Sequence, residues 1–85
     1  PMIEALVRQG LDRDEVVEWW HELGLDAYGD PGVWIWLVID DEAVETRMDE
    51  LLDMSERIAD TIRDDGRYWP FINFRSKSEQ EELGR

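Results

Sequence analysis

The sequence predicts a small single-domain α/β protein: two short N-terminal helices followed by a βαβ unit, with dimerisation completing the fold. A chain of 85 residues is the size of one domain. Residues 33–39 form a run of β-branched, aromatic and aliphatic side chains, typical of a buried strand. A long amphipathic pattern over 42–64 separates this run from a second β-rich segment at 67–74. A crossover of that length favours parallel pairing of the two strands.

The first 25 residues have the pattern of a helical hairpin. Residues 2–7 predict a short helix that ends at Gly10. Asp12 and Glu15 have the spacing of a capping box and predict a second helix. Gly24 stands where a left-handed C-terminal cap is expected. The apolar residues of this second helix recur every three or four positions and are Val16, Trp19, Trp20 and Leu23.

The strand at 33–39 has no polar side, so we expect it to lie in the centre of a sheet with cover on both faces. Turn-forming residues at 26–32 precede it. Asp40 and Asp41 then end the strand and are predicted to cap the long helix. The near-heptad apolar positions of that helix are Val44, Met48, Leu51, Ser55, Ile58 and Ile62.

Gly66 is predicted to end the long helix, and the strand at 67–74 follows. Pro70 lacks a backbone donor, which indicates an edge strand or one that begins after Pro70. The polar tail at 76–85 is expected to fray or to form a helical turn. Thus residues 1–25 would form the hairpin and 33–75 the βαβ unit.

Two strands make a small sheet, and two arrangements would complete it. The N-terminal helices can cover its second face, which gives three layers. Otherwise a second copy of the chain covers it, and we expect a homodimer, with a sheet that can continue across the two-fold axis.

Charge and composition narrow the classes of partner. The chain has 22 acidic and 9 basic residues, a net charge of −13, which repels nucleic acid and anionic membranes. A basic protein is the expected partner, although adaptation to salt would explain the same acidity. The absence of cysteine excludes disulfides, thiolate zinc sites and cysteine nucleophiles. It also favours a cytoplasmic protein, in keeping with the lack of a recognisable signal peptide.

Two clusters of side chains contain groups that can bind a metal ion, and neither predicts an enzyme. His21, on a helix with Glu18 and Glu22, would resemble part of a metal site, but it lacks the HExxH pattern and a second histidine. Asp40 and Asp41 follow a strand and could hold Mg²⁺, but the chain has no glycine-rich phosphate loop. We therefore expect no cofactor and no resident metal, with a Mg²⁺-dependent enzyme as a third alternative.

The leading functional hypothesis is a regulator or inhibitor of the antitoxin or decoy type, which binds a basic protein through the long helix. Carboxylates step along one face of that helix by three and four residues. The simpler alternative is a solvated outer face. The residues of this acidic stripe are Asp49, Asp53, Glu56, Asp60 and Asp64.

The last strand suggests a second surface, because basic and aromatic residues alternate there without any acidic side chain. The alternative function is an accessory or structural subunit that docks into a larger complex through this strand. The same pattern also fits stacking of nucleic acid bases on the aromatic rings, or inward packing of those rings. The candidate contact residues on this strand are Arg67, Trp69, Phe71 and Arg75.

Overall fold

A computed structural model describes residues 2–11 and 15–83 and shows a mixed α and β domain with a three-stranded sheet. Within that part of the chain there are four helices and three strands. In chain order they are α1 (Met2–Gly10), β1 (Val16–Leu25), β2 (Pro31–Ile39), α2 (Asp41–Thr46), α3 (Met48–Asp65), β3 (Trp69–Ser76) and α4 (Lys77–Glu82).

The sheet has β2 in its centre, with β1 antiparallel on one side and β3 parallel on the other. This confirms the central position of the strand predicted at 33–39 and the parallel pairing predicted across the helical crossover. It also confirms that β3, which carries Pro70, is an edge strand. Because β3 begins at Trp69, Arg67 precedes the strand.

The prediction of a second N-terminal helix is wrong, because residues 16–25 form β1. Apolar residues at this spacing suit a helix, but two valines and two tryptophans within 16–20 also favour a strand. Pairing with β2 along nearly the whole length of β1 decides the outcome. Gly24 is therefore no helix cap and lies opposite Gly32 in the sheet. Asp12, the predicted first residue of the cap, lies outside the described residues.

The long helix predicted over 42–64 is divided into α2 and α3. Arg47 separates them with φ −132°, outside the helical region, and neither glycine nor proline marks the break in the sequence. Asp40 occupies the N-cap position of α2, but its side chain makes no capping hydrogen bond. Gly66 ends α3 as predicted, with φ 83° and its N–H donating to the carbonyl of Ile62.

The core lies between one face of the sheet and the helices α1 and α3. On α3, Met54 is buried where the pattern had indicated Ser55, whose hydroxyl donates instead to the carbonyl of Leu52 at 2.8 Å. The fully buried side chains that line this core are Val33, Ile35, Leu37 and Ile39 from β2 and Leu51, Met54, Ile58 and Ile62 from α3.

Among the described residues, no second helical layer covers the opposite face of the sheet, because residues 16–25 form β1; the three-layer arrangement is therefore wrong. Of the four described helices, α4 alone lies over this face, at the end of β2, where Val38 is buried. The tail therefore forms a short helix, which begins with a cap from the Ser76 hydroxyl to the Glu79 N–H at 3.1 Å. Along the rest of this face, Trp34 and Trp36 are only half-buried.

Candidate binding face

Strand register brings aromatic residues from all three strands to the uncovered side of the sheet. Trp20 lies opposite Trp36, and Trp34 lies opposite Phe71. Residues paired in this way point to the same side of a sheet. The next pair along the face is Val38 with Arg75. We refer to the surface formed by Trp20, Trp34, Trp36, Phe71 and Arg75 as the aromatic face.

The rings on the aromatic face are stacked in two pairs. Trp20 and Trp36 have centroids 6.1 Å apart at an interplanar angle of 16°, and Trp34 and Phe71 are 4.9 Å apart at 14°. Each such pair contributes about 0.5–1.5 kcal/mol beyond the area it buries. These contacts hold the rings as a preformed surface rather than as separate mobile side chains.

A guanidinium group already lies on this surface. The Cζ atom of Arg75 is 4.3 Å from the ring centroid of Trp36 and 5.9 Å from that of Trp20. Arg75 Nη1 also donates to Oε1 of Gln80 at 2.8 Å, so α4 fixes the side chain in place. Gln80 is only 4% exposed, and its Nε2 has no acceptor among the described residues. The rings of Trp20 and Trp36 thus already bind a cationic side chain of the same chain, that of Arg75.

Two carboxylates flank the rings on the β1 side. Glu18 pairs with Val38 and Glu22 with Trp34, which places both side chains on the aromatic face. Both are exposed. The face therefore combines flat apolar rings with negative charge, and this combination attracts cationic groups.

The acidic stripe lies on the other side of the molecule. Since α3 buries Leu51, Met54, Ile58 and Ile62 toward the sheet, its carboxylates point outward. All five predicted residues, Asp49, Asp53, Glu56, Asp60 and Asp64, are exposed. Asp60 makes a hydrogen-bonded ion pair with Arg63. The structure therefore separates this predicted surface from the aromatic face by the full thickness of the domain.

The candidates on the last strand are also divided. Arg67 pairs with Asp65 at 3.5 Å, and Trp69 lies beneath the guanidinium of Arg63, 5.5 Å from its ring centroid. Trp69, opposite Gly32, lies at the start of β3 on the same side of the sheet, and Phe71 and Arg75 are the two candidates that form part of the aromatic face. The sequence predicts that Trp34 and Trp36 are covered, because an all-apolar strand is expected to have cover on both sides, and it places Trp20 on a helix.

The structure does not bring His21 together with Glu18 and Glu22. In β1, His21 lies opposite Ile35 on the helix-covered side of the sheet, whereas Glu18 and Glu22 are on the aromatic face. Its ring stacks at 6.0 Å on Trp19. Among the described residues, no group of three or more histidine, aspartate and glutamate side chains is placed to hold a metal ion.

Asp41 connects two helices rather than capping one. Its carboxylate accepts hydrogen bonds from the hydroxyl of Ser78 at 2.7 Å and from the Ser78 N–H at 3.1 Å. These bonds, the hydroxyl first, hold the pKa of Asp41 below its usual value. Asp41 therefore joins α2 to α4, the helix that carries Gln80.

Comparison with known proteins found no matching family model, no matching curated protein and no matching solved structure. In the described part of the chain, no helix is both long enough and apolar enough to span a membrane.

Proposed function

We propose that this protein is a non-enzymatic interaction protein, and that its aromatic face binds a basic segment of another protein. The observation that carries the proposal is the position of Arg75 on Trp36. Within the described residues, no arginine or lysine lies over the neighbouring pair of Trp34 and Phe71. That pair offers a partner's cation the kind of surface that Arg75 occupies in the chain itself.

Charge supports a basic partner. The chain carries a net charge of −13, and Glu22 lies beside Trp34 on the same face. Arginine and lysine side chains stacked on a tryptophan contribute about 0.5–2 kcal/mol each, more when water is excluded. The same charge repels a phosphate backbone, which favours a protein over a nucleic acid as the ligand.

We further propose that the protein acts as a homodimer. Among the described residues, the outer sides of β1 and β3, the two edge strands of the sheet, have no strand partner. Natural proteins usually protect such edges, and pairing with a second copy is one way to do so.

A second candidate function is a decoy that occupies the basic groove of another protein through the acidic stripe. The exposure of all five carboxylates on one face of α3 favours it. Both functions predict a basic partner, but they place it on opposite sides of the domain.

The two candidates are distinguished by matched variants. The probe is a peptide of alternating arginine and leucine, and binding is measured by calorimetry at low and high salt. We expect Trp34→Val to weaken binding at least about fivefold through the loss of ring contacts. The control, Asp53→Asn with Asp60→Asn, removes two charges from the acidic stripe and is expected to change affinity less than twofold. The reverse ranking supports the decoy and excludes the aromatic face.

A further inference from the structure

The outer edge of β1 is the longer of the two edges of the sheet, and the aromatic face does not include it. In the described part of the chain, this strand of ten residues pairs only with β2. It contains neither lysine nor proline, two residues that natural edge strands use against unwanted pairing. Leu23 and Leu25, near its end, are 53% and 68% exposed.

We propose that two copies of the chain pair antiparallel along β1, centred on His21, to form a continuous six-stranded sheet. This inference rests on the proposed homodimer and specifies the surface and the register through which it forms. In a continuous sheet the aromatic faces of both copies lie on one side, so an even-numbered residue of β1 must pair with an even-numbered one and an odd-numbered residue with an odd-numbered one. Centring the two-fold axis on one residue of β1 satisfies that condition.

Backbone hydrogen bonding agrees with this centre. Asp26 donates to the carbonyl of Asp30 at the turn, 2.8 Å away. Asp26 therefore directs its backbone groups toward β2, and because bonded and non-bonded pairs alternate along an antiparallel ladder, the even-numbered residues of β1 from 18 to 24 do the same. The odd-numbered residues between 19 and 25 then direct their N–H and C=O groups toward the free edge. His21 then forms a hydrogen-bonded pair with its own copy at the two-fold axis.

The side chains of β1 favour the register centred on His21 over the registers centred on Trp20 and Glu22. Centring on His21 pairs Trp19 with Leu23 of the second copy, Trp20 with Glu22, and Glu18 with Gly24. Centring on Trp20 would instead place Glu18 opposite Glu22 twice, and like charges directly opposite each other are destabilising. Centring on Glu22 would pair that carboxylate with itself.

Registers further away lose part of the ladder. Centring on Trp19 runs the pairing into the irregularity between Val16 and Glu18. Centring on Leu23 runs it into the turn that begins at Asp26. Centring on His21 keeps seven residues per strand, 18–24, in regular pairing, and the exposed Leu23 gains a tryptophan neighbour.

The pairing also enlarges the aromatic face. Trp20 of one copy lies beside Glu22 of the second, so the two aromatic faces join across the axis on one side of the six-stranded sheet. A basic partner would then meet two sets of rings with carboxylates between them.

Single cysteines test the register directly, because the chain contains no cysteine of its own. Hydrogen-bonded residues across an antiparallel ladder have Cα atoms about 5.5 Å apart, but their Cβ atoms lie further apart than in a relaxed disulfide, so a short flexible reagent with two thiol-reactive ends is used to bridge them. We expect His21→Cys to be linked into a covalent dimer by this reagent. The matched control Glu18→Cys, whose two copies would be about 20 Å apart along the strands at ~3.4 Å per residue, is expected to stay unlinked.

A second variant tests whether the outer edge of β1 forms the dimer, by measuring the molar mass of the protein in solution. His21→Pro removes an outward N–H at an edge position where proline is tolerated, and we expect the dimer dissociation constant to rise at least about tenfold. Light scattering measures this, with circular dichroism to verify the fold. A wild-type dimer without the His21→Cys link, or one unaffected by His21→Pro, overturns the β1 interface while the homodimer stands. A wild-type monomer overturns both, and the peptide titration of the aromatic face remains an independent test of partner binding.

Discussion

At the scale of single residues, the aromatic face depends on how closely its rings approach the sheet. Gly32 lies beneath the pair formed by Trp34 and Phe71. A Cβ atom at this position would be 3.0 Å from Phe71 Cε2 and 3.1 Å from Trp34 Cη2. These distances are shorter than ordinary van der Waals contact, so a side chain at position 32 would displace one of the rings.

Gly32→Ala is therefore expected to lower stability relative to its matched control, Gly24→Ala, by about 1 kcal/mol. Gly24 lies directly opposite in β1, and a Cβ there would meet Trp34 only at 3.4 Å. Both variants restrict the unfolded chain equally, which isolates the effect of the rings. Urea unfolding measures the difference. Equal stabilities of the two variants would show that the rings move aside without cost.

At the scale of secondary structure, some elements follow from local chemistry and others from pairing. The strand at 33–39 and the end of α3 at Gly66 were predictable, because an apolar run and a left-handed cap are local signals. Strand β1 was not predictable, because residues 16–25 fit both the helical spacing of three or four residues and the β-propensity of a strand, and pairing with β2 decides between them. The break between α2 and α3 at Arg47 was not predictable either, because no glycine or proline marks it in the sequence.

The candidate site was predictable to a smaller extent. Phe71 and Arg75 were identified from the alternation of basic and aromatic residues along β3. The tryptophans of β2 were assigned to the core, because the sequence does not show that one side of the sheet lacks a helical layer. Misassigning β1 as a helix also concealed Trp20, which joins the aromatic face only through pairing with Trp36.

The link between α2 and α4 predicts a dependence of stability on pH. Hydrogen bonds from Ser78 lower the pKa of Asp41 in the folded state. The stabilisation is therefore present above the unfolded value, 3.8, and is lost as the pH falls through the lower folded value. Asp41→Asn is expected to lower the melting temperature at neutral pH, and the difference from the wild type should shrink at about pH 2.5.

Thermal unfolding followed by circular dichroism at both pH values measures this difference. Glu42→Gln serves as the control, since Glu42 is also exposed in the first turn of α2. A difference between Asp41→Asn and the wild type that stays constant with pH would show that the Ser78 bonds do not depend on the charge of Asp41.

At the scale of the whole molecule, charge acts on the two proposed associations in opposite directions. A homodimer brings together two chains that each carry a net charge of −13. Added salt screens that repulsion and should strengthen the dimer. The attraction of a basic partner is screened by the same salt, so its binding should weaken. Light scattering and calorimetry over one salt series are expected to give slopes of opposite sign, and slopes of the same sign would contradict this account.

The most direct test of the central claim is a ¹⁵N-edited NMR titration that follows the five tryptophan indole N–H signals. The probe is the peptide of alternating arginine and leucine. We predict that the signals of Trp34 and Trp36 shift with the peptide, whereas that of Trp19, on the helix-covered side of the sheet, remains in place. Backbone shifts confined to the acidic stripe of α3, with Trp34 and Trp36 unchanged, would contradict the claim that the aromatic face is the binding surface.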